Sequence, residues 1–463
     1  MLSYLQGDGG HGGDIMNKLS RKDVVLVSLM LFSMFFGAGN LIFPPFLGQS
    51  AGGETWVAMA GFFITAVGFP ILGVIAVAKS KGLYNLANRV NPVFASIFTV
   101  LIYLSIGPGL GIPRAGSLPF EMAVAPYLPA DFSVALARLL FTAVFFCVAY
   151  WLALTPTKLV DRMGKVLTPA LLILIAVIFV GALVKPLGDY GLAMNDYAAL
   201  PFVKGFLEGY LTMDTIAALN FGIVIALAIK TKGIEEERAV ISTTVKAGLI
   251  AGALLVAIYS ILAHLGAMSG GLYGSTENGA QTLTHVVTYI FGAPGAVLLA
   301  IVFTLACLTT CVGLITSCGQ YFASLTPKIP YKVWVFILAA TSMTLANMGL
   351  NQILSISVPI LNAIYPVSIM LILLAMMNNL IKESRFVYSV TILVTALVSV
   401  VDALGEANIN LPVLTSAFQH LPLYEEGLGW VVPTFITLVV GFAVHKFYQT
   451  MSLRQTTTTL VED

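Results

Sequence analysis

Twelve apolar runs, each long enough to cross a bilayer, constrain this chain to a polytopic helical membrane protein. A hydrocarbon core about 30 Å thick takes about 20 apolar residues per helix. Hydropathy marks such runs at approximately 24–47, 55–78, 93–112, 134–155, 167–184, 206–229, 247–268, 294–323, 333–349, 353–377, 386–404 and 428–446. Composition agrees: 58% of the 463 residues are hydrophobic and 10% are charged, whereas a soluble chain carries about 25% charged residues. The same figures exclude disorder. A net charge of +1 without a basic run excludes a nucleic-acid surface.

The expected organisation is a polar, Gly-rich, disordered extension over 1–17, one transmembrane domain over 18–447 and a cytoplasmic tail over 448–463. The first apolar run is too long for a signal peptide and is read as a retained span. Lys and Arg orient the chain. With the N-terminus in the cytoplasm, only Arg114, Arg138, Lys185 and Lys204 fall outside, against nineteen of the 23 cations inside. That asymmetry places both termini in the cytoplasm. Cys147, Cys307, Cys311 and Cys318 all lie in apolar stretches and read as small packing residues.

The first span, VVLVSLMLFSMFFGAGNLIFPPFLG, contains Gly37-Ala38-Gly39-Asn40 and then Pro44-Pro45. Helical backbone in lipid must satisfy its own polar groups, and each interior Gly weakens a helix by about 1 kcal/mol. One reading makes Gly37–Asn40 an unwound joint between half-helices, its carbonyls free for a hard cation and its amides for a carboxylate. The other is a kink that lets helices pack closely. The sixth span, FLEGYLTMDTIAALNFGIVIALAI, has Gly209, Tyr210, Thr212 and Asp214 in its middle or outer third. Buried acids such as Glu208 and Asp214 are expensive and face a cavity or a partner. Asp214 alternatively caps a restarted helix; either way a break is required.

Spans one and six lie five apart. An odd repeat re-enters from the opposite face, so the expected architecture is a 5+5 inverted repeat, about 24–184 and about 206–377, with two extra helices over about 386–446. Broken helices at matching positions point to a midplane site worked by alternating access.

LMLFSMFFGAGNLIFPP, YLSIGPGLGIPRAGSLPFE (103–121) and GYLTMD (209–214) resemble the branched-chain amino-acid:cation symporters, the BrnQ or LIVCS carriers. The resemblance runs from about residue 17 to about 447, and that family resembles transporters of the LeuT fold in the amino acid–polyamine–organocation group. It implies sodium-coupled uptake of leucine, isoleucine and valine across the cell membrane, with Na+ as coupling ion, an amino acid as partner and no other cofactor. It also implies that the amides of Ala38 and Gly39 hold the substrate carboxylate. Sodium is implied at the carbonyls of Ser33 and Phe36 with Ala306, Thr309 and Thr310, where Ala306-Cys307-Leu308-Thr309-Thr310 matches the family's Ala-x-x-Thr-Ser. The outer-gate arginine of amino-acid carriers of that fold is absent: Ile42-Phe43-Pro44 stands in its place. Sodium binding first and ordering the joint, followed by substrate and rocking of spans one and six, is the implied cycle.

Independently of resemblance, Thr309 and Thr310 offer two hard oxygens in an apolar span, or bond back to the preceding turn. Gly37, Ala38, Gly39, Asn40, Tyr103, Tyr210, Thr212 and Ala217 are the candidate substrate-pocket residues. Asp214, Glu208, Arg114 and Glu121 are candidates for coupling or gating. Arg114 and Glu121, seven apart at the outer end of span three, form a gate or a structural interfacial pair. His264 and Asp402 read as interfacial, and Glu235-Glu236-Glu237 as a solvated face. No Lys occurs inside a span and the Arg residues sit at span ends, so a substrate carboxylate must meet backbone amides and the cation. No HExxH, P-loop, GxSxG or Rossmann pattern occurs, and no nucleophile–base pair suggests an enzyme. A proton-coupled neutral amino-acid transporter is the alternative.

Overall fold

A computed structural model describes residues 19–129, 131–155, 158, 160–407, 409 and 411–462, with backbone alone at 160, 161 and 450–462. The extension expected over 1–17 lies outside the described residues. Among them, the regular elements are all helical. In chain order they are α1 (Arg21–Phe35), α2 (Ala38–Ala51), α3 (Thr55–Phe63), α4 (Phe69–Lys79), α5 (Leu83–Ala87), α6 (Pro92–Leu104), α7 (Gly111–Ala123) and α8 (Val134–Ala153). Then follow α9 (Thr168–Val184), α10 (Asp196–Ala199), α11 (Pro201–Glu208), α12 (Asp214–Lys230), α13 (Glu237–Tyr273), α14 (Gly279–Phe291) and α15 (Ala293–Leu325). The last are α16 (Tyr331–Ala346), α17 (Leu350–Met376), α18 (Asn378–Ile381), α19 (Arg385–Glu406), α20 (Pro412–Phe418) and α21 (Val431–Glu462).

Helix starts are written locally. Ser20, Asn91, Ser133, Asn278 and Ser384 each accept a first-turn backbone N–H at the head of α1, α6, α8, α14 and α19. Among the described residues, nine helices are long and apolar enough to cross a membrane, or ten when α11 and α12, bent by 45° at their break, count as one. α16 is apolar but shorter, at 16 residues. Some helix limits follow the hydropathic runs closely, as in α8 against 134–155 and α19 against 386–404, while α13 begins ten residues before the run at 247. α14 was not foreseen, because its thirteen residues are too few and too polar to register as a span. α21 continues as helix through 448–462, where the tail was expected.

The outward faces carry large apolar side chains such as Val93, Ile97, Val144 and Ile173, each more than 60% exposed. Exposed apolar surface of that extent suits lipid rather than water. Inside, Phe32, Phe35, Phe36, Phe62, Phe221, Tyr259 and Tyr365 are buried around the two broken helices.

α2 packs on α13 and α14 backbone to backbone. A Cβ on Gly266 would stand 1.9 Å from the Pro45 carbonyl oxygen, and one on Gly279 would stand 1.7 Å from that of Ile42. Small residues allow this approach. α11 packs on α3 and α12 on α4. The second span is itself interrupted by a wide turn at Ile64–Gly68. It presents the Thr65 carbonyl to the Thr215 hydroxyl at 2.9 Å, tying that span to the start of α12.

Candidate functional site

The chain leaves the α1 spiral at Phe36 (φ −73°, ψ 85°) and is extended at Gly37 (φ −124°, ψ −151°). The helix then resumes at Ala38. The break is therefore Phe36–Gly37, shorter than the expected Gly37–Asn40, and Ala38, Gly39 and Asn40 form the first turn of α2. Asn40 explains the early restart: its Oδ1 accepts the Gly37 N–H at 3.2 Å, closing a cap three residues upstream. The Ala38 and Gly39 amides head α2 without an intrahelical acceptor, at its positive dipole end.

The sixth span breaks in a complementary way. A tight turn over Gly209–Thr212 leads to Met213 in the left-handed region (φ 68°), and α12 begins at Asp214. Thr212, not Asp214, caps the restart: its Oγ1 accepts the Asp214 N–H at 3.3 Å. The Asp214 carboxylate is thereby free to face α2. It accepts from the Asn40 amide and, at 3.1 Å, from the Tyr259 hydroxyl, while Asn40 also donates to Tyr259. All three side chains are buried. One hydrogen-bonded cluster thus joins the two breaks through α13.

Between the breaks lies a cavity of about 20 Å³, lined among others by Ala38, Gly39, Arg114, Asp214, Ala217 and Thr310. That volume holds about one water; a branched side chain needs the walls to part. Beneath it, the Thr310 hydroxyl donates to the Ser33 carbonyl at 3.3 Å, and a Cβ on Gly37 would meet Thr310 Oγ1 at 2.6 Å. Thr309 is fully buried and bonds back to the Ala306 carbonyl at 2.9 Å. Both hydroxyls face the protein interior. Of the five expected sodium residues, Ser33 and Thr310 thus meet where the end of α1 crosses α15.

Other expected residues lie elsewhere. Tyr103 stacks on Tyr321 at 3.9 Å, away from the cavity. Tyr210 stacks on Tyr365 at 4.5 Å behind the break and does not line the cavity, whereas Thr212, Met213 and Asp214 do. Glu208 faces Lys204 at 3.7 Å. The expected pairing of Arg114 with Glu121 does not form. Glu121 pairs with Arg138 at 3.0 Å, whereas Arg114 is buried against the sixth-span break. Its Nη1 donates to the Leu211 carbonyl at 2.8 Å and its Nη2 to that of Thr212 at 3.2 Å.

The physical reason is the third span. The apolar run ends near 112, which sets Arg114 at the outer flank of the expected span. The structure bends just before that point, with Gly107 non-helical (φ −82°, ψ −123°) under the Cys318 side chain, and then continues inward as α7. Arg114 therefore sits deep in the protein rather than at an outer flank, and the expectation that no cation lies within a span is corrected. Tyr259 was also missed; one Tyr in an apolar run carries no distinguishing signal. Among the lesser candidates, Cys307, Cys311 and Cys318 are buried free thiols, as packing residues are, whereas Cys147 is exposed, on the outward face of α8. His264 meets the Tyr190 hydroxyl at 2.6 Å.

The family model described as branched-chain amino acid transport protein matches residues 20–448. The branched-chain amino acid permease BraB of Bacillus subtilis is 44% identical over 93% of this chain and 97% of its own length. The branched-chain amino acid transport system 2 carrier protein of Pseudomonas aeruginosa is 43% identical over 92% of this chain and 97% of its own. Among solved structures, the nucleobase-cation-symport-1 transporter Mhp1, closed with bromovinylhydantoin bound, aligns with TM-score 0.58 at 14% identity, covering 92% of this chain and 93% of its own. MhsT in complex with L-phenylalanine aligns with TM-score 0.50 at 15% identity, covering 92% of this chain and 98% of its own. These structural likenesses speak for the fold, which is the LeuT-like one. With an all-helical membrane fold matched across nearly its whole length, this chain belongs to the branched-chain amino acid transport protein family.

Proposed function

We propose that the protein is a sodium-coupled symporter that carries leucine, isoleucine and valine across the cytoplasmic membrane by alternating access, with both termini in the cytoplasm. The carrying observation is the break at Phe36–Gly37. It sets the α2 amides beside a small cavity and the Ser33 carbonyl beside the Thr310 hydroxyl. Hydroxyl and carbonyl oxygens suit a hard monovalent cation, and a helix N-terminus suits a carboxylate. The substrate side chain would enter the apolar part of the cavity around Ala217. Such a pocket separates single methylenes by only about 1–3 kcal/mol, so the three branched amino acids share the carrier. The two breaks, five spans apart, are read as equivalent points of inverted repeats, rocking together against the remaining helices.

Uptake of labelled leucine into proteoliposomes, with and without an inward sodium gradient, tests this; uptake indifferent to the gradient rejects sodium coupling. Thr309→Ala and Thr310→Ala should each raise half-saturating sodium about tenfold, the loss of ~1.4 kcal/mol of ligation. An unchanged sodium titration rejects the assigned site. Proton coupling is the second reading, favoured by one observation: a carboxylate, Asp214, buried between the two moving helices. Uptake driven by a pH gradient in sodium-free medium would select it.

A further inference from the structure

Arg114 is a buried charge whose hydrogen bonds leave it only partly satisfied. It is 3% exposed, and a buried charge is retained where it is paired or used. Among the described residues it makes no ion-pair contact, and Asp214 is the acid that lines the same cavity. Its carbonyl partners occupy Nη1 and, at the longer 3.2 Å, Nη2, while Nε has no partner. The Nε–Nη2 edge of a guanidinium is one that takes both oxygens of a carboxylate in parallel.

That edge is beside the α2 N-terminus. A Cβ on Gly39 would lie 2.7 Å from Nη2, so glycine there lets the guanidinium approach the helix head. Arg114 also lines the same cavity as Ala38, Gly39 and Asp214. The cavity lining thus includes a cation and an acid, the two charges that a zwitterion would meet.

We propose that Arg114 is the side-chain ligand of the substrate carboxylate, completing the site begun by the Ala38 and Gly39 amides, while Asp214 faces the substrate ammonium. This deepens, and rests on, the amino-acid transport reading. Nη2 carries two N–H groups, so the carboxylate can be taken on the Nε side while the Leu211 and Thr212 carbonyls keep their bonds.

The test compares leucine with leucinamide, which keeps the ammonium and side chain but lacks the carboxylate. Binding of each to the purified full-length protein is measured in saturating sodium for wild type, Arg114→Lys and Arg114→Gln. Wild type should prefer leucine at least ~100-fold, since a site built around a polar group rejects an analogue lacking it. Both variants should bring the preference below about tenfold by weakening leucine alone. If Arg114 only clamps the Leu211 and Thr212 carbonyls, both ligands weaken equally and the ratio holds, which overturns the proposal. Equal wild-type affinity for leucine and leucinamide overturns it without any variant. Wild type that binds neither refutes the transport reading itself, a result distinct from a changed ratio.

Discussion

Asp214→Ala should abolish leucine uptake while leaving the protein inserted and monodisperse. The carboxylate is the shared acceptor of the Asn40 amide and the Tyr259 hydroxyl, all within the interior. Truncation leaves those donors facing an apolar void, and each stranded buried group costs about 1–3 kcal/mol. Because Asn40 also caps Gly37, the loss reaches the first break as well as the sixth. A deficit of about 3 kcal/mol in bringing the two breaks together is roughly a hundredfold loss of rate or affinity. Asp214→Asn separates the contributions. Its carbonyl oxygen can still accept both bonds, so stability should return to within about 1 kcal/mol of wild type. It places no negative charge opposite Arg114, so uptake should remain depressed more than tenfold. Thermal unfolding and initial uptake rates of the two variants check this; a fully active Asp214→Ala would remove Asp214 from the site.

Gly266→Val should damage the fold rather than the transport step. The Cβ position lies 1.9 Å from the Pro45 carbonyl oxygen, with the Pro45 carbonyl carbon at 2.7 Å. Those are backbone atoms of α2, which cannot swing aside as a side chain can. The α2–α13 seam would have to open by more than 1 Å along a contact repeated at Gly48, where a Cβ would stand 1.9 Å from the Ala263 carbonyl oxygen. Overpacking of this kind belongs among the exceptional substitutions above about 4 kcal/mol. The expected result is a protein lost to aggregation on extraction, or with a greatly lowered unfolding temperature. Gly405→Ala is the matched control: it lies in α19 with nothing within 4 Å of its Cβ position, and gains about 0.5–1 kcal/mol from helix propensity. Equal stability of the two variants would contradict the packing described for α2.

The broken first span was legible because lipid makes Gly-x-Gly-Asn costly in an apolar run unless the break is used. Its true length was not legible, because the early restart depends on Asn40 turning back to Gly37, a side-chain choice with no periodic signature. Thr309 and Thr310 could be picked out as adjacent hydroxyls in an apolar stretch. Whether they faced lipid or protein required the crossing of α1 and α15. Arg114 was misplaced for a specific reason. Gly and Pro that end a helix exposed to lipid are tolerated inside a bundle, where neighbours take up the freed backbone groups. The segment Ser105–Gly109 is such a place, and the helix that resumes beyond it carries Arg114 into the bundle rather than to the outer flank. Tyr103 and Tyr210 drew attention as aromatics close to the motifs in sequence, and the bend and the break turn both away from the cavity to stack on Tyr321 and Tyr365.

If main-chain groups at the first-span break hold both ligands, an experimental structure with leucine and sodium bound will place the leucine carboxylate within hydrogen-bond reach of the Ala38 and Gly39 amides, and sodium beside the Ser33 carbonyl and the Thr310 hydroxyl. Leucine lodged away from residues 36–40, or a first span running unbroken from Arg21 to Ala51, would contradict it.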